Sequence, residues 1–184
     1  MMSGHKKRRD QCVVKVAHQQ DVLNLAPRLR AADRQELIAL GEQPERGLMK
    51  AYAHSSQAFT IFFKNDYSHL RPLAMFGVAP HPLGAGVMAP WLLGSDDQFL
   101  VRREFARRCR VWIARLEEGS TALCNIAHQS NALHIRWLGW CGFTFVRALP
   151  DFGVEGEIFL EFARLSAPAA HHQQKTIGNS ICVG

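Results

Sequence analysis

The apolar positions in the first part of the chain predict one strand followed by helices. The β-branched run Cys12–Val16 is typical of a strand. Over residues 18–40, apolar side chains recur at helical spacing, and Pro27 either splits this helix or starts a second piece. Residues 44–52 carry the spacing of a further short helix. The chain therefore opens as a strand with helices after it.

The middle of the chain has the aromatic and β-branched composition of strands. Residues 57–64, 71–78 and 87–93 each predict a strand. Residues 65–68 and 80–86 between them are rich in turn-forming Asn, Asp, Pro and Gly. Three strands joined by such short turns indicate an antiparallel meander.

A long basic helix is predicted next. Residues 94–97, Gly-Ser-Asp-Asp, form a helix-start signal, because Ser and Asp satisfy free N–H groups at a helix N-terminus. Residues 98–118 then carry an apolar stripe with arginines mostly between its positions. Gly119 is a natural end for this helix.

The last part of the chain predicts a strand-helix-strand unit and a final strand. Residues 121–127, 144–149 and 157–165 have strand composition, and a short helix follows Asn131. An antiparallel meander followed by such a unit predicts a mixed α/β fold, with a central mixed sheet and helices on both faces.

Length and composition favour one compact domain. The 184 residues are 47% apolar, which is enough to build a core. We expect a domain at residues 12–165, a basic arm at 1–11, and a tail at 166–184 that becomes ordered on a partner. No apolar run approaches the roughly 18–20 residues of a membrane span, and the N-terminus lacks the apolar segment of a secretory signal. Synthesis in a cytoplasm is therefore expected.

The formal charge of +6 favours polyanionic partners, either nucleic acid or an acidic protein surface. A solvated basic face explains the same charge and stays open as an alternative. The basic excess lies in the N-terminal arm and in the helix predicted at 98–118. The candidate contact residues are Lys6, Lys7, Arg8, Arg9, Arg102, Arg103, Arg107 and Arg110.

Side chains with catalytic or metal-binding chemistry form no convincing pattern. The five cysteines are scattered without a C-x-x-C pair, which predicts free thiols in the core. Cys124 and Cys141 lie in apolar contexts that make a thiol inert. The histidines lack metal-ligand spacing. Three ionisable residues that are candidates for a cleft show no catalytic pairing: His54, Glu104 and His128.

The segment from Asn131 to Phe143 resembles the last helix of the GCN5-related N-acetyltransferase fold. That helix is usually written N-x-x-A-x-x-x-Y-x-x-x-G-F, and Asn131, Gly142 and Phe143 match it. The order of elements resembles the same fold. The resemblance implies that the Tyr serving as general acid falls on Leu138, and the Ala of the motif on His134.

The resemblance also implies a pyrophosphate cradle, Q/R-x-x-G-x-G/A, between the fourth strand and the next helix. Only Gly94 fits it here, and Asp96 and Asp97 would place two carboxylates beside the phosphates. The G-x-G at 84–86 precedes the strand and is typical of a hairpin. We therefore expect no catalytic residue, no cofactor and no metal ion.

The same motif resembles a family of small internal core proteins of short-tailed bacteriophages. There a His-Ile-Arg, an aromatic residue and Leu recur before the Gly, as at residues 134–138 here, and the similarity extends over about residues 12–165. The family implies a non-enzymatic structural or assembly protein at the portal vertex that serves assembly or genome ejection. Expected partners are portal, connector, core or tail proteins in a symmetric, multi-copy virion assembly.

Two alternatives remain. The order of elements, with Asn131 and Gly142-Phe143, also fits an N-acyltransferase that uses acetyl-CoA. The arm and the arginine-rich helix also fit a DNA-binding virion protein, whose affinity would fall steeply with salt.

Overall fold

The computed structural model describes residues 12–64 and 70–166. The predicted arm with Lys6, Lys7, Arg8 and Arg9, the turn predicted at 65–68 and the tail from residue 167 lie outside the described residues.

One seven-stranded sheet forms the centre of the molecule, in the order β1-β2-β3-β4-β5-β7-β6. Every neighbouring pair is antiparallel except β4 and β5, which run parallel. The meander and the strand-helix-strand unit are both present, which confirms the predicted mixed α/β fold. The strands are β1 (Cys12–Val16), β2 (Gln57–Lys64), β3 (Leu70–Pro80), β4 (Val87–Gly94), β5 (Ala122–His128), β6 (Thr144–Leu149) and β7 (Phe159–Leu165).

Five α-helices cover both faces of this sheet. Met75 of β3 packs in a core with the helices before β2, whereas its neighbours Ala74 and Phe76 pack in the core that includes the helix after β4. Successive strand residues point to opposite faces, so the two helical layers lie on opposite sides. The helices are α1 (Gln19–Leu25), α2 (Ala31–Ala39), α3 (Pro44–His54), α4 (Arg102–Glu117) and α5 (Ala132–Trp140).

Pro27 splits the helix predicted at 18–40. It lies in a short 3-10 turn, Ala26–Arg28, between α1 and α2. Proline has no N–H to donate and clashes with the preceding turn, so a continuous helix cannot pass through it. The first of the two predicted possibilities is therefore the one observed.

The start predicted for the basic helix is wrong by about one turn. A 3-10 segment, Asp96–Val101, comes first, and α4 begins only at Arg102. Ser95 does not cap a helix, because its hydroxyl donates to the Leu73 carbonyl at 3.0 Å. Its N–H donates to the same carbonyl at 2.8 Å, which keeps this part of the chain attached to β3.

Helix α5 has the ends that the motif predicts. The buried Asn131 side chain accepts the N–H of His134 at 3.4 Å and so caps the helix. Gly142 has a φ of +88°, which favours glycine at this position, and Phe143 N–H donates to the Leu138 carbonyl at 3.1 Å. Phe143 then enters the core, which fixes the turn from α5 into β6.

Within residues 12–64 and 70–166, no helix has the length and apolar character needed to cross a membrane.

Candidate functional site

Strands β4 and β5 are paired at only two positions before they separate. Val87 pairs with Ala122 and Met88 with Leu123. In open α/β sheets, ligands bind in the crevice beyond the carboxyl ends of parallel strands. In this chain the Asn125 side chain spans the start of that crevice, because its amide donates to the Pro90 carbonyl at 2.8 Å. A ligand site is therefore expected where β4 and β5 separate.

A cavity of about 180 Å³ occupies this divergence. Most of its lining is apolar and comes from β4, α4 and α5. A mainly apolar pocket with a few polar groups is the usual form of a small-molecule site. Representative lining side chains are Phe76, Leu92, Trp112, Trp137 and Leu138.

Glu36 and His134 form a polar corner of this cavity. The Glu36 carboxylate accepts the side-chain amide of Asn131 at 3.2 Å and lies 3.9 Å from His134 Nδ1. His134 Nδ1 is buried and has no hydrogen-bond partner. Asn131 and His134 were predicted as parts of the helix motif, and the structure adds that both face Glu36 of α2. This corner could hold a cation or accept a proton.

Leu138 lies at the position where the fold's general acid is expected. It lines the cavity and is only 2% exposed. A leucine side chain has no proton to donate, so it cannot protonate a leaving thiolate. It also fills space with hydrocarbon in the core formed by α4, α5 and the sheet.

The junction between β4 and the following helical segment is closed by hydrogen bonds. The Gly94 N–H donates to Asp33 Oδ2 at 2.8 Å, and the Gly94 carbonyl accepts the Arg30 N–H at 2.8 Å. A Cβ at Gly94 would collide with the Gln98 side chain, so this side chain already fills the space beside it. A phosphate needs free N–H groups at such a junction, and the Gly94 N–H is already used.

Asp33 is a buried carboxylate paired with Arg30. Arg30 Nη2 lies 2.7 Å from Asp33 Oδ1, and the Asp33 side chain is 3% exposed. Burial raises the pKa of the Asp33 carboxyl above its usual range, although the ion pair with Arg30 acts in the opposite direction. The pair thus ties the N-terminus of α2 to the end of β4.

Asp96 and Asp97 were expected to place two carboxylates beside a phosphate at this junction, and the structure shows that one of them, Asp97, is ion-paired. Asp97 forms ion pairs with Arg28, at 3.7 Å, and with Arg71. Two arginine charges offset its carboxylate, so charge alone does not exclude an anion here. What opposes a phosphate is the use of the Gly94 N–H by Asp33 and the packing of Gln98.

Four exposed arginines of α4 form a cationic surface, which we name the arginine face. Within the described residues, none of them has a carboxylate within 4 Å. The two buried acids of this helix point inward instead: Glu104 pairs with Arg108, and Glu117 with Arg164. The four contact candidates predicted for the basic helix therefore all lie on α4 and are exposed. The arginine face consists of Arg102, Arg103, Arg107 and Arg110.

None of the three ionisable residues considered for a cleft lines the cavity. His54 is exposed at the end of α3, and its Nδ1 lies 2.8 Å from the Lys50 carbonyl. His128 Nδ1 lies 2.6 Å from the Ser130 hydroxyl. Glu104 accepts the Cys12 N–H at 3.3 Å.

The cysteines of the described chain are buried free thiols, as predicted: Cys12, Cys109, Cys124 and Cys141. Cys182 lies outside the described residues. The sequence placed these thiols in separate elements, but Cys109 and Cys141 have sulfur atoms only 3.8 Å apart. No spacing along the chain signalled this contact, which packing of α4 against α5 creates.

No family model and no curated protein matches this sequence. Solved structures do match the fold. Ard1 from Thermoplasma volcanium is 9% identical with a TM-score of 0.65, covering 85% of this chain and 99% of that one. The ribosomal-protein-S18-alanine N-acetyltransferase from Escherichia coli is 12% identical with a TM-score of 0.59, covering 87% and 97%.

A third similar structure is a GCN5-related N-acetyltransferase from Kribbella flavida. It is 17% identical with a TM-score of 0.60, covering 84% of this chain and 98% of that one. At such identities the likeness establishes the fold and leaves the activity undecided. The chain has the GCN5-related N-acetyltransferase fold.

Proposed function

We propose that this chain is a non-catalytic virion protein, in which an acetyltransferase fold serves as a binding module. Its role is to dock onto portal, connector, core or tail proteins at the portal vertex and to serve assembly or genome ejection. The observation that carries the non-catalytic part is Leu138, which replaces the general acid inside the cavity. The virion part rests on the resemblance of residues 131–143 to phage core proteins.

In addition to Leu138, two hydrogen bonds support a function without acetyl-CoA chemistry. The Gly94 N–H at the end of β4 is donated to Asp33. The Asn125 amide is donated to Pro90 across the opening of the crevice, where a bound chain would need that carbonyl. A phosphate that took the Gly94 N–H would have to break its hydrogen bond to Asp33, and a ligand that donated to the Pro90 carbonyl would have to share it with Asn125.

The arginine face supports a docking role toward acidic protein surfaces. Its guanidinium groups have no carboxylate partner within the described chain. Arginine pairs with carboxylates through two parallel hydrogen bonds, which gives orientation as well as attraction. A helix that keeps its acids buried and its arginines exposed is suited to an acidic partner.

Reversing three charges of the arginine face is expected to weaken docking. The variant Arg102→Glu/Arg103→Glu/Arg107→Glu should bind its virion partner about 100-fold less tightly, at roughly 1 kcal/mol per reversed charge. Arg110 stays in place because it donates to the Trp140 carbonyl at 2.7 Å. The measurement is Kd for the purified portal, connector, core and tail proteins of the same particle.

A control reverses an exposed arginine of α3 on the other helical layer, Arg46→Glu. This control should bind like the unchanged protein. Equal Kd values for both variants would contradict the docking surface. Tight, strongly salt-dependent binding of duplex DNA without binding of any virion protein would instead assign the arginine face to DNA.

Acyl transfer to an amine is a second candidate function, and the polar corner of the cavity favours it. Glu36 lies beside an apolar space and has no Lys or Arg nitrogen within 4 Å among the described residues. A carboxylate in that position could take a proton from an amine. This candidate requires acetyl-CoA to bind, which separates it from the proposal above.

A further inference from the structure

Cys109 and Cys141 form a buried thiol pair between two helices. Cys109 lies in α4 and Cys141 directly follows α5, with 4% and 1% of their surfaces exposed. Their sulfur atoms are 3.8 Å apart. A disulfide has an S–S length of about 2.05 Å, so small rotations of both side chains could bring the sulfurs into bonding distance.

Two arginines hold the end of α5 against α4 on either side of this pair. Arg110 of α4 donates to the Trp140 carbonyl at 2.7 Å. Arg164 of β7 donates to the Cys141 carbonyl at 2.6 Å and also forms an ion pair with Glu117 of α4. Three side chains and two backbone carbonyls therefore fix the end of α5 beside the two thiols.

The two thiols differ in acidity. The hydrogen bond with Cys141 is the main cause that lowers the pKa of Cys109 to about 7, with Trp137 acting in the same direction and burial against it. The same contact raises the pKa of Cys141, followed by burial. Arg110 and Arg164 are the charged groups that face Cys141. Cys109 is thus the thiol that ionises first, and a thiolate is the reactive form.

Cys109 is also the member of the pair that lines the cavity, and Cys141 does not line it. A space of about 180 Å³ admits a molecule of the size of a peroxide. The thiol that ionises first is thus also the thiol that a small reagent in the cavity can reach.

We propose that Cys109 and Cys141 are an oxidation site, where a hydroperoxide reacts at Cys109 and the pair closes to a disulfide. The Cys109 thiolate attacks one peroxide oxygen, the O–O bond breaks, and a sulfenic acid forms with release of water or alcohol. Cys141 then attacks the Cys109 sulfur, an S–S bond forms, and the hydroxyl leaves as water with the Cys141 proton. Two thiols are oxidised and one peroxide is reduced.

The disulfide would join α4 to the end of α5 beside the cavity. The two cysteines are 32 positions apart, so the bond closes a loop of that length and restricts the unfolded chain. The inference does not depend on the docking partner, because it rests on contacts inside the chain.

The test is oxidation of the full folded chain with a small excess of hydrogen peroxide at pH 7. Peptide mapping by mass spectrometry is expected to find a Cys109–Cys141 link, and Tm should rise by roughly 5–10 °C and return to its starting value on reduction. The rate should increase about tenfold from pH 6 to pH 8, because the thiolate fraction of a group with a pKa near 7 increases by that factor.

Two variants complete the test. Cys141→Ser keeps a hydroxyl donor for the Cys109 thiolate, so the reaction should stop at a sulfenic acid that dimedone traps. Cys124→Ser is the matched control, because Cys124 is buried in β5, its pKa is raised chiefly by burial, and no other thiol of residues 12–64 and 70–166 is bonded to it. This control should form the disulfide normally. A native protein that keeps Cys109 reduced, or links a different pair, would overturn the proposal.

Discussion

Replacing Asp33 by alanine is expected to lower the free energy of unfolding by about 3–5 kcal/mol, the usual cost of removing one partner of a buried ion pair. The change leaves Arg30, whose side chain is 16% exposed, without its carboxylate. It also leaves the Gly94 N–H without its acceptor. Both losses occur at the junction between α2 and β4, so the helical layer that contains α2 would be less firmly tied to the sheet.

The measurement is urea unfolding of the purified protein, followed by circular dichroism. The matched control is Glu45→Ala, which removes the partner of Arg34 in an exposed ion pair. Exposed pairs contribute about 0–1 kcal/mol, so the control should unfold almost like the unchanged protein. Similar losses in both variants would mean that the Asp33 contacts do not hold this junction.

Replacing Phe159 by alanine is expected to cost about 3–5 kcal/mol, as for other fully buried aromatic side chains. Phe159 begins β7, is completely buried and pairs with His128 of β5 and Leu149 of β6. Its ring lies 5.1 Å from the His128 ring, centroid to centroid. Truncation leaves a cavity on the face of the sheet to which this ring points, beside the His128 ring.

Phe152→Ala is the matched control for this prediction. Its ring contacts Phe159 at 5.5 Å between centroids, but the residue is 50% exposed. Its loss should cost about 1 kcal/mol, because half of the side chain is already in water. Equal destabilisation of the two variants in urea unfolding would contradict the role of the buried Phe159 ring in the packing of β7.

The parts of the fold that the sequence predicts are those determined by neighbouring residues. The cap at Asn131, the left-handed turn at Gly142 and the break at Pro27 each follow from the chemistry of one residue and its neighbours. Strand β1, an uninterrupted β-branched run, has the predicted bounds. The start of α4 was predicted too early, because a hydrogen bond to Leu73 of β3, far along the chain, took the Ser95 hydroxyl.

The candidate site could not be assembled from the sequence, because its contacts join distant residues. Glu36 and Asn131 are 95 positions apart, and Gly94 and Asp33 are 61 apart. Cys109 meets Cys141 only because α4 and α5 pack together. Nothing in the spacing of these residues shows that they meet. The ion pairs of Asp97 could not be predicted for the same reason, because Arg28 and Arg71 reach it from separate elements.

The molecule has the backbone arrangement of the GCN5-related N-acetyltransferase fold, and under our proposal its side chains serve binding in place of acetyl transfer. A fold supports many functions, and the function depends on the residues placed at its site. Here the crevice keeps an apolar space, but Leu138 lines it and the Gly94 N–H is occupied. Under our proposal, the exposed arginine face is the surface that binds the partner.

Titration of the full chain with acetyl-CoA in a calorimeter tests the central claim most directly. An acetyltransferase of the same fold serves as the positive control under identical conditions. The account predicts no heat of binding at cofactor concentrations up to the millimolar range, because the Gly94 N–H and the Pro90 carbonyl are already hydrogen-bonded. Saturable binding with a micromolar Kd would contradict it and would favour acyl transfer.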